Sequence, residues 1–365
     1  MIVTRPLTLN MSTVNPVTVS LEDLKNNNIP FPTLLQAFGP DSLGILIVSD
    51  LPSTFTTLRT QVLSNSSHLA ALPRQKLDAL TNEHAKYLVG WSHGKETLRP
   101  GVVDNLKGSY YINCAFYQDP ARQSGDAARF PGFDEYTAAN IWPDEEDIPG
   151  FKGSAEALIT LIIDTAVLVA RACDQFAQQE IPGYATGYLE RMVRESTTTK
   201  ARLLHYFPAA ATETETKTMN SDEAEDSWCA THLDHGCLTG LTSAMFLDES
   251  SSTFSNMAEL PSSPSPQSGL YIRDRNDKVH KVSIPRDCLA FQTGEALELI
   301  TQGRFRAVPH FVRGVDAKEC GLGQKIARNT LAVFTQPNLD EVVDGRTGLT
   351  FGEFARGVVK KNTAG

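Results

Sequence analysis

The chain has no closely spaced cysteine pair. Its six cysteines, Cys114, Cys173, Cys229, Cys237, Cys288 and Cys320, are scattered and include no CxxC. Neither a thiolate zinc site nor a disulfide framework is suggested, and a reducing, cytoplasmic setting is the expectation. Basic charge is in deficit: 33 Lys and Arg stand against 43 Asp and Glu, a formal net charge of −10. No broad cationic surface is left to release counterions from a phosphate backbone, which argues against nucleic acid as a partner. Uninterrupted apolar runs of membrane-spanning length are missing too. Residues 1–15 are broken by Thr, Asn and Pro, and the most apolar segment, 155–176, is interrupted by Asp164 and Arg171. A buried helix explains that segment better than a membrane span. No internal repeat is visible. What is present is 365 residues with 41% hydrophobic content, enough for a substantial core and so for a folded enzyme.

Along the chain, Val17 and Val19 read as a short strand before a helix start at Ser20 or Leu21, where Glu22 and Asp23 suit the helix dipole. Residues 43–48 form a continuous aliphatic run between turn residues, the pattern of a buried strand, and 58–80 read as mainly helical. Residues 90–101, rich in glycine and polar groups, read as a long loop. Ser154 is placed to cap a helix from Ala155, whose apolar residues Leu158, Ile162, Val169, Cys173 and Phe176 recur at helical spacings. From about Lys200 the pattern turns to short period-two runs at 201–207, 231–233, 243–247, 270–273, 289–293, 307–312 and 328–334, an all-β half. Within it, 211–226 and 248–268 are poor in apolar residues and read as surface loops. The fold expected is mainly β with α, a barrel or sandwich in one structural unit. A leader of helices and strands covers 1–150, a scaffold helix and the β core 151–340, and a C-terminal helix 341–365.

The chemistry concentrates in three strands. In Thr231-His232-Leu233-Asp234-His235-Gly236 an imidazole and a carboxylate stand two residues apart, and residues i and i+2 of a strand share a face. A distant third ligand is offered by His310 in Arg306-Ala-Val-Pro-His310-Phe-Val-Arg313. Two His and one carboxylate with open positions remaining suit a non-haem iron(II) that must bind a co-substrate and O2. The tripeptide alone is common by chance, so its weight comes from its company. Residues 291–310 read as strand, turn, strand, with Gln302-Gly303 as a tight hairpin that delivers His310. In Ala327-Arg328-Asn329-Thr330, Arg328 and Thr330 share a face. A guanidinium fork with a hydroxyl two residues on fits the distal carboxylate of 2-oxoglutarate, although Arg328 taken alone reads as a surface-strand arginine.

With these residues in hand, the chain resembles the isopenicillin N synthase-like Fe(II)/2-oxoglutarate-dependent dioxygenases. The likeness rests on His232-x-Asp234, the Gly294…Gln302-Gly303…His310 stretch, Arg328-x-Thr330 and Arg202-Leu-Leu-His205-Tyr206-Phe207-Pro208, with Gly44-Ile-Leu-Ile-Val48 in the leader. It implies a double-stranded β-helix (jelly-roll, cupin-like) core, Fe(II) held by His232, Asp234 and His310, and 2-oxoglutarate as co-substrate, decarboxylated to succinate and CO2 as O2 is split. Three departures stand out. Arg-x-Thr replaces the usual Arg-x-Ser, the 310–328 spacing is longer than usual, and the family's Asn-Tyr-Tyr-Pro reads His205-Tyr206-Phe207-Pro208. His205 falls at the Asn position, where it either contacts 2-oxoglutarate or fills the barrel, while Tyr206 reads as packing. The implied reaction is oxidation of a C–H bond of a small molecule, by hydroxylation, desaturation or ring closure, in specialised metabolism, by a monomer. A same-fold iron oxidase without 2-oxoglutarate and a non-catalytic cupin-like binding protein are the rivals.

Other residues carry weaker readings. His235 suits a supporting role rather than ligation. Trp91, His93, Lys95 and Arg99 either line a substrate entrance or are solvated. Cys229 and Cys237 flank the first metal strand and read as packing thiols.

Overall fold

The computed structural model describes residues 14–99, 102–208, 228–250 and 258–363. In chain order the strands are β1 (Val17–Ser20), β2 (Ile45–Ser49), β3 (Gly90–His93), β4 (Thr97–Arg99), β5 (Val102–Val103), β6 (Lys107–Asn113), β7 (Lys200–Tyr206), β8 (Cys229–His232), β9 (Leu238–Thr242), β10 (Met245–Asp248), β11 (Gly269–Arg273), β12 (Val279–Val282), β13 (Leu289–Thr293), β14 (His310–Arg313), β15 (Ile326–Thr335), β16 (Val342–Asp344) and β17 (Leu349–Thr350). The helices are α1 (Leu21–Lys25), α2 (Phe31–Phe38), α3 (Thr54–Ala70), α4 (Arg74–Ala79), α5 (Asp134–Thr137), α6 (Phe151–Glu180), α7 (Tyr188–Glu195), α8 (Glu295–Ile300) and α9 (Phe351–Thr363).

Two sheets organise the molecule. The larger runs β1-β2-β13-β9-β15-β7-β6-β3 with β10 beside β15, and the smaller runs β12-β11-β14-β8. Apart from the parallel β1 and β2, their pairings are antiparallel. The sheets face one another: Ile45, Ile47 and Ala290 of the larger share an apolar cluster with Ile272 and Val282 of the smaller. A second cluster joins Leu204, Tyr206 and Ala332 to Trp228 and Val312. The back of the larger sheet is covered by α3 and α6, so β7 and β15 are buried on both faces. Gly240 of β9 lets α6 approach, since a Cβ there would lie 2.4 Å from the Ile162 side chain. The apolar residues of α6, Leu158, Ile162, Val169, Cys173 and Phe176 among them, are buried in this layer, as the helical spacing anticipates.

Several local expectations need correction. Ser154 does not cap α6. The helix starts at Phe151 after Gly150 in the left-handed region (φ 67°), and the Ser154 hydroxyl donates to the Gly150 carbonyl inside the first turn. Residues 90–101 are not one long loop, because Gly90–His93 pairs with β6 and Thr97–Arg99 with β5. Most consequentially, β13 and β14 are not a hairpin: Glu295–Ile300 is helix, and the two strands belong to different sheets. Gln302 and Gly303 do make a turn, with φ of 51° and 79°, but it ends α8. By contrast Ser20 caps α1, accepting from the Asp23 N–H at 3.0 Å. The expected loop at 211–226 and most of the leader segment 1–15 lie outside the described residues.

Candidate functional site

His232 ends β8 and His310 begins β14, and the two are direct partners across that strand pair. Asp234 lies two residues beyond the end of β8, so convergence comes from a turn rather than from the expected shared strand face. The turn is fixed by the first N–H groups of α8: Glu295 donates to the Asp234 carbonyl (2.8 Å) and Ala296 to those of His235 and Gly236 (3.2 Å each). Helix and turn touch so closely that a Cβ on Gly294 would lie 2.2 Å from the Gly236 oxygen. Asp234 Oδ1 stands 3.8 Å from Nε2 of His232 and 3.8 Å from Nε2 of His310. One ligand atom from each of the three residues lies within 4.8 Å of the others. These separations are too long for hydrogen bonds and leave room for an ion between the groups.

The second ring nitrogens are turned outward. His232 Nδ1 meets the Ala230 carbonyl at 2.8 Å, while His310 Nδ1 meets the Val308 carbonyl at 3.3 Å and the Gln292 amide at 2.8 Å. In the neutral His232 ring a proton on Nδ1 satisfies the Ala230 carbonyl and leaves the Nε2 lone pair aimed at the common point, while His310 Nδ1 lies between the Val308 carbonyl and the Gln292 Nε2–H donor, with its Nε2 facing the same point. His235 stands apart, bonded to Glu295 (2.6 Å) and edge-on to Phe354, a structural role.

Burial, followed by the charge on His232, drives the His310 imidazole down to about 4. For His232 burial acts the same way, but the neighbouring Cys229 thiolate, then Asp234 and the Ala230 carbonyl, reverse it and carry the ring up to about 9. The metal-free site therefore holds a proton on His232 at neutral pH, and a metal must displace it. Affinity for a divalent ion is expected to rise about tenfold per pH unit from pH 6 to 8 and to level off above about 9. Chelator-competition titrations across that range measure the slope; a flat profile would show that no ligand is protonated.

A cavity of about 600 Å³ opens between the sheets and is lined by these three residues together with Tyr206, Arg328 and Thr330. Arg328 is 6% exposed, and among the described residues its Nε and Nη1 find no hydrogen-bond acceptor. Its guanidinium lies over the Tyr206 ring at 5.0 Å, and that ring stacks on Trp228. Burial pulls the Arg328 pKa down. Thr330 Oγ1 lies 3.3 Å from the Thr242 carbonyl on β9. A buried, under-bonded guanidinium beside a hydroxyl and a phenol has the donor set of a carboxylate seat.

His205 is not part of that seat. It pairs with Asn329, whereas Arg328 pairs with Tyr206 and Thr330 with Leu204, so His205 occupies the opposite face of the sheet. Its Nδ1 bonds Asn329 Oδ1 at 2.8 Å, and the Asn329 amide continues to Leu63 and Ser67 of α3. Burial lowers its pKa to about 4. Tyr206, expected from the sequence to pack, is the residue of this strand that reaches Arg328. The resemblance is therefore shifted by one position, Leu204 and Tyr206 taking the face assigned to His205 and Phe207.

The 90–99 segment contributes differently from what its aromatics suggest. Trp91 is buried over Gly108, His93 is exposed against Phe207, and Lys95 sits over Tyr87; none of the three lines the cavity. The side chain of Arg99 lies outside the described residues. It is Glu96 that reaches inward, bonding Arg202 (2.6 Å) and Tyr111 (2.9 Å), with Lys107 3.2 Å away. Burial raises the Glu96 carboxyl, but Arg202 and Lys107 hold it well below the usual range. Cys237 is fully buried and packs; Cys229 lines the cavity with its Sγ 3.9 Å from His232 Nδ1.

The Ser/Pro stretch expected as a surface loop forms, from residue 258 on, one wall of the cavity, with Ser265 and Ser268 buried. Its anchor is Glu259, which takes two bonds from Arg59 of α3 at 2.9 and 3.0 Å and a third contact from Arg286 at 3.2 Å. Arg59 is 2% exposed. Glu259→Ala leaves that guanidinium buried with carbonyls only, and a loss of about 3 kcal/mol is expected, read as a lower midpoint in denaturant; Glu259→Gln loses less.

The fold recurs in solved structures. A full-length Neurospora crassa protein, crystallised in complex with alpha-KG, superimposes with a TM-score of 0.61 at 19% identity, covering 91% of this chain and 88% of its own. A Caulobacter crescentus protein described as of the 2OG-Fe(II) oxygenase family gives 0.64 at 17% identity, covering 95% and 98%. The rice dioxygenase for auxin oxidation gives 0.57 at 15%, covering 95% of each chain. The chain thus has the fold of the 2-oxoglutarate- and iron(II)-dependent oxygenases. No family model and no curated protein sequence matches it.

Proposed function

We propose that this protein is an Fe(II)- and 2-oxoglutarate-dependent oxygenase that oxidises a C–H bond of a small molecule, with its two facing sheets forming a double-stranded β-helix. The observation that carries the reading is Arg328, a buried guanidinium with unsatisfied N–H groups in the same cavity as the His232, Asp234 and His310 cluster. A cavity meant for a metal alone has no use for it. The donor set fits the metal: two imidazoles with Nε2 free and one carboxylate, the combination suited to iron(II) with open coordination positions. When bound, iron(II) supplies the activation of O2 that is coupled to decarboxylation of 2-oxoglutarate.

The chain's own contribution is orientation and exclusion. Arg328 and Thr330, with Tyr206 beneath, hold the remote carboxylate of 2-oxoglutarate, so its keto-acid end is directed along the cavity toward the metal ligands. Leu204, Leu241 and Val312, lining the cavity between the sheets, keep water from the reacting region. Specialised metabolism is the setting this reading favours, in keeping with the small-molecule complexes of similar folds: the N. crassa protein has been crystallised with thymine, JOX2 with JA.

Anaerobic titration of metal-free protein with iron(II) and then 2-oxoglutarate tests it. A visible charge-transfer band, followed in air by conversion of 2-oxoglutarate to succinate, is expected. Iron binding without the band would favour the oxidase that needs no 2-oxoglutarate, and binding of neither would favour a non-catalytic ligand cup.

A further inference from the structure

Among the described residues, the charges around the cavity do not balance once its proposed contents are counted. Among the described residues lining it, Asp234 is the sole carboxylate, against Arg202, Lys281, Arg286 and Arg328. Arg202 is answered by Glu96, and the neighbouring Lys107 by Asp104 at 2.7 Å. Iron(II) and Arg328 would together offset Asp234 and both carboxylates of 2-oxoglutarate. Two cationic groups remain, both on or just after β12. Arg286 shares one carboxylate, Glu259, with Arg59, so that trio keeps a net positive charge. Lys281 has no carboxylate within ion-pair reach among the described residues. Its ammonium donates to the Pro266 carbonyl of the Ser/Pro wall, and burial draws its pKa down.

A partly desolvated ammonium that lines the same cavity as a surplus guanidinium costs free energy unless an anion offsets it. The Ser262 hydroxyl stands in the same wall and can donate to such a group, whereas the Ser263 hydroxyl is committed to Ser268 Oγ at 2.5 Å; Leu241, Leu270, Val282 and Ile284 also line the cavity. We propose that the substrate is an organic acid with an apolar body, its anionic group read by Lys281 and Arg286, and that Lys281 sets the specificity for charge. The proposal rests on the oxygenase reading, which supplies the occupants of Arg328 and the metal ligands.

The test uses the anaerobic iron(II) and 2-oxoglutarate complex and follows the perturbation of its visible band by phenylacetate, indole-3-acetate and octanoate, each against its uncharged primary amide. At least one acid is expected to bind at least about tenfold more tightly than its amide. Lys281→Met should bring the ratio close to one, and Lys281→Arg should restore it. The 2-oxoglutarate concentration needed to form the band should be the same in all three proteins, which separates loss of charge reading from a damaged fold. Equal binding of acids and amides, silence of every acid, or a preference that survives in Lys281→Met would overturn the proposal. Failure of the band to form at all, seen before any acid is added, would instead sink the oxygenase reading.

Discussion

Arg328→Met is expected to stabilise the ligand-free protein and, in the same molecule, to weaken 2-oxoglutarate binding by about 100-fold or more. The two effects have one cause. In the free protein the guanidinium is 6% exposed, and two of its nitrogens find no acceptor among the described residues. A buried charge without its counter-charge carries a desolvation cost of several kcal/mol even after relaxation. The Tyr206 ring at 5.0 Å returns part of that, of order 1–2 kcal/mol for a desolvated cation over an aromatic face. Methionine fills similar volume, packs on Tyr206 and needs no acceptor, so a gain of about 1–2 kcal/mol is expected in the absence of ligand. Against 2-oxoglutarate the balance reverses, because the paired charge-assisted bonds to the distal carboxylate are gone. Thermal melts with and without 2-oxoglutarate separate the two: a higher midpoint in its absence, and loss of the ligand-dependent rise. If Arg328→Met instead melted lower without ligand, the guanidinium would be serving the fold and the carboxylate seat would lose its support.

The same physics explains what the sequence can and cannot disclose. His232, Asp234, His310, Arg328 and Thr330 are readable because each pair or single residue stands in a short, distinctive stretch, and all five line one cavity. The frame around His205 is not. Lys200–Tyr206 is buried on both faces, one toward the cavity and one toward α3, and a strand without alternation does not say which side is which. Only the pairing of Tyr206 with Arg328 fixes it. The helix at Glu295–Ile300 is hidden by a different ambiguity. Ala296, Leu297 and Ile300 are its buried residues, and so short a segment is too brief for period alone to decide between helix and strand. Gly90–His93 escapes a local reading because its stability comes from afar, from pairing with β6 and from Trp91 closing over Gly108. The wall that begins at residue 258 misleads for a functional reason. A surface that faces a polar ligand has the composition of one that faces water, so serines and prolines cannot distinguish the two.

Asp234→Ala separates the metal from the carboxylate seat, and its expected effect is the larger on activity: more than about 100-fold weaker retention of iron and no measurable succinate. The fold should be indifferent. The carboxylate stands 3.8 Å from each imidazole, beyond hydrogen-bond reach, and the turn that carries it is held by backbone bonds from Glu295 and Ala296 that alanine keeps. Removing the side chain also removes an attraction that favours protonated imidazoles, so His232 should titrate lower than about 9. Stability of the metal-free protein is expected within about 1 kcal/mol of the parent. Iron content after reconstitution and desalting, with a denaturant midpoint on the same sample, checks both halves. Arg328→Met should keep its iron while losing 2-oxoglutarate, and Asp234→Ala should lose both, because the keto-acid end has no metal to meet while Arg328 alone offers a single point of attachment. Retention of iron by Asp234→Ala at parental levels would remove the carboxylate from the ligand set and leave two neighbouring histidines with another purpose.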